Sequence, residues 1–420
     1  GLASNTATLE EFYLLQKLLR ELGCENLDYR LNVKNLDNDI ALDSTIKLNE
    51  LETADHVLIV GSNPRLEQPM INHRVRKASL NGASVDTINV MAFDFNYPLN
   101  TEATVSPNMI ATTLAGVLKA SMLTKQEELP AYLQAVEISD EAQSMAEQLL
   151  SSEHSVILLG EHVINNQQAA SIANLVNEIA KRTNSDTLNI TVTANSLAAE
   201  MAGFTPVNNG MDVNTMLASK LQAFILLDVY PEYDFHHLDA ATSAFSENNA
   251  FVIALNSFKN DTVADYADVL LPMASFYETS GTQVNINSDM QSFAAAVTAP
   301  DEAKPAWKIL KVLADLLELP GFHYADSTQV LSEISHQAHK AHDHDHNVDL
   351  TNKDNAIETI WQSAPYSTDA VLRHSGSLQK TKIGQIHSAY MNAKTAELLA
   401  LSNTDQYLGV PVMVNDTVAD

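Results

Sequence analysis

The sequence predicts an α/β fold of two Rossmann-like, doubly wound, mostly parallel sheets, followed by a truncated C-terminal segment. Three observations carry this. Short apolar runs such as "HVLIV" and "SVILL" are free of charge and end at a glycine before a polar turn. Helical patterns alternate with these runs, as parallel strands require. The alternation also occurs twice, around residues 51–125 and 151–275, on either side of the acidic stretch "KQEELP".

In chain order, "TATLEEFYLLQKLLRELG" reads as a helix with both ends specified. Thr8 caps it, Glu11 is the return partner, Leu9, Phe12, Leu15, Leu19 and Leu22 form an apolar stripe, and Gly23 ends it. A polar loop from Asn32 to Ser44 leads to the strand Val57–Val60. Gly61 then allows a sharp turn, and Asn63-Pro64 delays the next helix to the stretch from Gln68 to Leu80. "ASVDTINV" completes a βαβ unit with an expected right-handed crossover, and a helix follows from about Pro107 to Met122.

The second system begins with "HSVILLGEHV", followed by the helical "NQQAASIANLVNEIAKR". The strands "LNITVT", "LQAFILLDVYPEYDF" and "NAFVIALNSF" come next. The likeness of "VLIVGSNP" to "FILLDVYP" fits a distant internal duplication and fits two unrelated βαβ units equally. A late helix, "EAKPAWKILKVLADLLELPG", places Pro305 in its first turn and Trp307, Leu310, Leu313 and Leu317 on one face. "HQAHKAHDHDHNVDLTNKDN" is hydrophilic and aperiodic, hence a connector. The expected domains are a lead-in (1–50) packed on the second α/β domain, a first α/β domain (51–150), a second (151–335), a His/Asp-rich linker (336–353) and the start of a β-rich domain (354–420).

A formal charge of −29, from 53 acidic and 24 basic residues, argues against nucleic acid as a partner. Cys24, the sole cysteine, excludes an internal disulfide and a thiolate-held iron–sulfur cluster within the chain. No apolar stretch approaches the ~20 residues of a spanning helix, so no direct membrane insertion is expected. The leading Gly1 and the immediate helical pattern suggest a fragment of a longer chain.

"DTVADYADVLLPMASFYETSGTQVNINSDMQSF", Asp261 to Phe293, resembles a segment of the molybdopterin-dependent oxidoreductases. Its matching positions are Thr262, Ala264, Ala267-Asp268-Val269, Leu271-Pro272, Glu278, Gly281-Thr282, Asn285 and Gln291. "IVGSNPRLEQP" is similar to that family's strand and nucleotide-side loop, and "TLEEFYLLQKLLRELGCENLDYR" to its preceding helix. "ENLDYR", "EQPMINHRVRKA", "KPAWKILKVLADLLELPGF" and "PYSTDAVLRHSGSLQKT" resemble one branch, the large iron–sulfur subunits of bacterial NADH–quinone oxidoreductase, respiratory complex I.

The resemblance implies two sheets of the molybdopterin oxidoreductase type and a structural, non-catalytic place in the peripheral arm, on the cytoplasmic side of the inner membrane. The implied partners are other peripheral-arm subunits. No cofactor is expected in this fragment, and the iron–sulfur clusters of the parent subunit are expected upstream. Two alternatives remain: a fragment of a catalytic molybdopterin enzyme, and a stand-alone nucleotide-binding protein.

Catalytic members carry a cysteine, selenocysteine or serine ligand soon after the segment matching "ENLDYR". Here Leu31, Asn32 and Val33 provide no sulfur or hydroxyl group. Gly61, Ser62 and Asn63 are the candidate nucleotide-side residues, read as an inherited loop whose hydrogen bonds are exposed. The "EHVINN" and "DVYPEYD" loops carry carboxylates that would repel a phosphate. His336, His339, His342, His344 and His346, with Asp343 and Asp345, are weak metal candidates without a hydrophobic shell. His236-His237 read as surface or helix-start residues rather than catalytic ones, and Glu278 as a loop-shaping carboxylate beside Ser280. No catalytic nucleophile–base pair is legible.

Overall fold

His56–Val60 is apolar along nearly its whole length, and all five residues are buried. Such a strand belongs inside a parallel sheet covered on both faces. In the computed structural model the described residues are 1–420 apart from 34, 35, 37–43, 191–193, 236, 237, 248, 249, 260, 335–347, 352–358, 361, 363, 386, 387, 408, 409 and 420. The strands in chain order are β1 Leu2–Ala3, β2 His56–Val60, β3 Ser84–Asn89, β4 Thr101–Thr104, β5 Ser155–Leu159, β6 Asp186–Asn189 and β7 Ala223–Leu227. They continue as β8 Phe251–Asn256, β9 Val269–Pro272, β10 Gly281–Val284, β11 Met290–Phe293, β12 Ala389–Met391, β13 Gln406–Tyr407 and β14 Val410–Val414.

Two compact units result. One comprises Gly1–Leu36, Thr193–Lys340 and Tyr366–Leu378; the other comprises Asp37–Val192, Ala341–Pro365 and Gln379–Asp420.

The second unit holds a five-stranded parallel sheet in the order β4-β3-β2-β5-β6. Leu58 and Val60 join a core with the helices Ile110–Thr124, Asp140–Ser151 and Ala169–Thr183, while the intervening Val57 and Ile59 are equally buried. His56 and Asp86, both without exposure, meet at 2.9 Å between Nε2 and Oδ2 and tie β2 to β3. Asp86 also accepts from Asn100 Nδ2 and the Thr101 N–H. Near the C-terminus β12 and β13 flank β14, and Met391, Ala396 and Val412 form a small core.

This pairing departs from the expected division at residue 150. β5 pairs with β2 from His56↔Ser155 to Val60↔Leu159, so both β5 and β6 belong to the sheet that contains the first βαβ unit. A parallel crossover lets strands remote in sequence become neighbours, and one-dimensional periodicity does not encode that order.

In the first unit β1-β7-β8-β9 form a parallel sheet, and β10 and β11 an antiparallel hairpin. Leu2–Ala3 is thus the edge of the sheet and not merely a lead-in packed upon it. Thr8 and Glu11 close a capping box on the helix Leu9–Glu21, with the Thr8 N–H donating to Glu11 Oε2 at 2.9 Å and the Glu11 N–H to Thr8 Oγ1 at 3.3 Å. Gly23, at φ +78°, follows its end. Leu9, Phe12, Leu15 and Leu19 are buried; Leu22 is half exposed because it is already the capping residue. The late helix runs from Ala306 to Leu316 with Pro305 as its N-cap. Trp307 and Leu310 are buried, whereas Leu317 lies beyond the helix and is half exposed.

Candidate functional site

The second unit's sheet adds β3 and β4 on one side of β2, then returns to add β5 and β6 on the other. The reversal lies between β2 and β5, and a crevice at the carboxyl ends of two such strands is where open α/β sheets receive ligands. Gly61, Ser62 and Asn63 follow β2 at this place, and Gly160, Glu161 and His162 follow β5.

The two loops are in close contact. Gly61 has φ +58°, and a Cβ there would meet Val163 Cγ2 at 2.7 Å. A Cβ on Gly160 would lie 2.1 Å from Ser62 Cβ. The His162 N–H donates to the Gly61 carbonyl at 3.0 Å, and the Gly160 N–H to that of Val60 at 3.0 Å. Asn89, at the end of β3, receives the Ser62 N–H on Oδ1 at 2.8 Å and returns Nδ2 to the Ser62 carbonyl at 3.2 Å. Ser62 has no exposure and Asn63 only 6%. The exposed loop expected from the sequence is therefore a buried one, because β5 brings a second loop against it.

The residue that organises this place is Glu67, which local sequence patterns do not single out. Its carboxylate accepts Ser62 Oγ–H on Oε2 at 2.8 Å, the Asn63 N–H on Oε1 at 2.6 Å, and the Glu161 N–H on Oε2 at 3.2 Å. Two loops from two strands thus direct three donors at one carboxylate. Burial of that carboxylate pushes its pKa up, and the hydrogen bonds pull against the shift. Its signal in the sequence is slight: a glutamate six residues after a strand-ending glycine. "EHVINN" contributes a backbone donor here, and its His162 ring packs against Phe93 at 5.7 Å between centroids. Burial lowers the His162 pKa to about 4, so the ring is neutral at pH 7, and among the described residues its Nδ1 has no hydrogen-bond partner.

At the corresponding edge of the first unit, Asp228 follows β7 with φ +52°. It accepts the Ser257 N–H at 3.0 Å and the Tyr230 hydroxyl at 3.2 Å. Burial raises its pKa. Asp234 accepts the Tyr230 N–H at 2.7 Å and pairs with Arg373 at 2.6 Å, and the His374 ring stacks on Phe258 at 4.1 Å. The "DVYPEYD" loop is thereby held by the segment around "VLRHS". Glu278 accepts the Ser275 N–H at 2.9 Å in a capping box.

Leu31 is buried in the first unit's core beside Leu2 and Val213. Neither it nor Asn32 or Val33 carries a soft-metal ligand. At the β2 loop the three donors that would serve a nucleotide phosphate already converge on Glu67, so the residues present do not fit a pterin nucleotide there. Among the described residues no group of three or more His, Cys, Asp or Glu is placed to hold a metal ion. His336, His339, His342, His344, His346, Asp343, Asp345 and His236-His237 lie outside the described residues.

Residues 1–316 match the family model described as molybdopterin oxidoreductase. The 75 kDa subunit of NADH-ubiquinone oxidoreductase from Reclinomonas americana is 26% identical over 359 residues, covering 80% of this chain and 47% of that protein. A subunit of the NADH-quinone oxidoreductase of Rickettsia bellii is 26% identical over 330 residues, covering 76% of this chain and 41% of that protein. This chain spans less than half the length of these curated relatives. Among solved structures, acetylene hydratase from Pelobacter acetylenicus superposes with a TM-score of 0.61 at 13% identity, covering 80% of this chain and 58% of that one. At that identity the likeness concerns the fold. With the matched model spanning three-quarters of its length, the chain belongs to the molybdopterin oxidoreductase family.

Proposed function

We propose that this chain is a structural, non-catalytic region of the peripheral arm of a respiratory complex I. Its parent subunit passes electrons from NADH toward quinone through iron–sulfur clusters carried upstream. The observation that carries the reading is kinship: curated relatives matching 75–80% of the chain are subunits of NADH–quinone or NADH–ubiquinone oxidoreductase. Its non-catalytic character is supported by the position at Leu31, Asn32 and Val33, where hydrocarbon and amide side chains stand instead of a thiolate, selenolate or hydroxyl. Its partners are other peripheral-arm subunits, and it is held at the cytoplasmic face of the inner membrane through them. Among the described residues no helix is long and apolar enough to cross a membrane, which is compatible with that place.

The experiment is to tag the full-length parent in its native host, solubilise the membranes gently and purify through the tag. NADH-dependent quinone reduction should co-purify, and molybdenum should stay far below one atom per chain. About one molybdenum per chain with extractable pterin would favour the catalytic alternative, and a tagged protein recovered without that activity would remove the complex I assignment.

A further inference from the structure

A phosphate bound between two strand-ending loops needs inward-facing N–H and O–H donors, a close backbone approach, and freedom from a competing negative charge. The β2 and β5 loops meet the first two conditions: Ser62 Oγ, the Asn63 N–H and the Glu161 N–H converge, and Gly61 and Gly160 let the backbones approach. They fail the third, because Glu67 is there. We infer that the Glu67 carboxylate is a resident anion, which stands between the two loops where a ligand phosphate would stand and excludes one.

Three features point the same way. The carboxylate oxygens take donors from both loops, which a residue capping only its own turn would not do. Ser62 and Glu161 are buried, with 0% and 2% exposure, so the donors they present to the carboxylate are held away from solvent. A second anion at contact distance would also meet like-charge repulsion in surroundings of low dielectric. The loop thus keeps the hydrogen-bonding pattern of an anion cradle, supplied from within the chain.

The inference deepens the non-catalytic reading and rests on it only in requiring that no ligand phosphate enter this loop. It is tested on the purified chain by thermal unfolding in inorganic phosphate against chloride at equal ionic strength, and by equilibrium dialysis with labelled phosphate. Wild type and a Glu141→Ala surface control should be indifferent to phosphate. Glu67→Ala should melt several degrees lower, recover part of that loss specifically in phosphate, and bind about one phosphate per chain. Glu67→Asp, which keeps the charge, should remain indifferent.

Specific phosphate binding by the wild type would overturn the inference, and so would a folded Glu67→Ala that phosphate neither stabilises nor labels. If Glu67→Ala cannot be purified, Glu67→Ser is measured in the same way. Failure of both variants to fold even when refolded in phosphate would likewise overturn it. None of these outcomes bears on whether the parent co-purifies with NADH-dependent quinone reduction, so the two readings fail separately.

Discussion

Glu11 shows how much one residue's role depends on what surrounds it. Thr8 three residues upstream makes the capping box legible, and that box is present. Complete burial of the carboxylate is not legible. It raises the Glu11 pKa from near 4.5 to about 7, with the nearby charges of Glu10 and Asp228 adding to the shift, while among the described residues Oε1 has no hydrogen-bond partner. A raised carboxyl pKa means that the fold favours the neutral form. Its contribution to stability is complete below about pH 4.5 and is lost as pH rises through about 7, an effect of roughly 3 kcal/mol. Glu11→Gln keeps the cap and cannot ionise. It should match the wild type near pH 4.5 and exceed it at pH 8 by urea unfolding; equal pH slopes for the two proteins would show that Glu11 does not titrate in this way.

Among the elements, the helices Leu9–Glu21 and Pro69–Leu80 lie close to where caps, periodicity and glycines put them, because those signals act within a few residues. The edge strands β1 and β4 have no such local signal. Leu2–Ala3 is only two residues long, and Thr101–Thr104 is polar, so each owes its extended form to pairing with a neighbour. The contact of the β2 and β5 loops is likewise a property of two elements together. Gly160 has an extended backbone, open to any residue, yet a Cβ there would lie 2.1 Å from Ser62 Cβ and 2.7 Å from the Gly61 carbonyl oxygen. Gly160→Ala should therefore cost about 3 kcal/mol by overpacking, even though alanine suits the local backbone. A loss below about 1 kcal/mol in chemical denaturation would mean that the loops separate easily.

Over the whole molecule the formal charge is −29, against only 24 basic residues. A folded chain carrying that excess repels itself at low ionic strength, and salt screens the repulsion over about 10 Å at 0.1 M. Raising sodium chloride from about 20 to about 200 mM should increase the melting temperature by several degrees. A decrease would mean that ion pairs such as Arg373–Asp234 and Arg182–Glu178, which salt also screens, outweigh the net repulsion.

Taken alone, the sequence determined what local physics can determine. It specified the α/β class, the capped helices, the apolar strands with their glycine ends, and the motif run from Asp261 to Phe293 that marks the family. Which strands became neighbours was decided only in three dimensions, because a parallel crossover leaves strand order open. From that order followed the placement of β5 beside β2, the burial of Ser62 and Asn63, and the convergence of donors from two loops on Glu67. A carboxylate acquires such partners only when segments about 90 residues apart are brought together, and periodicity within either segment carries no record of the meeting.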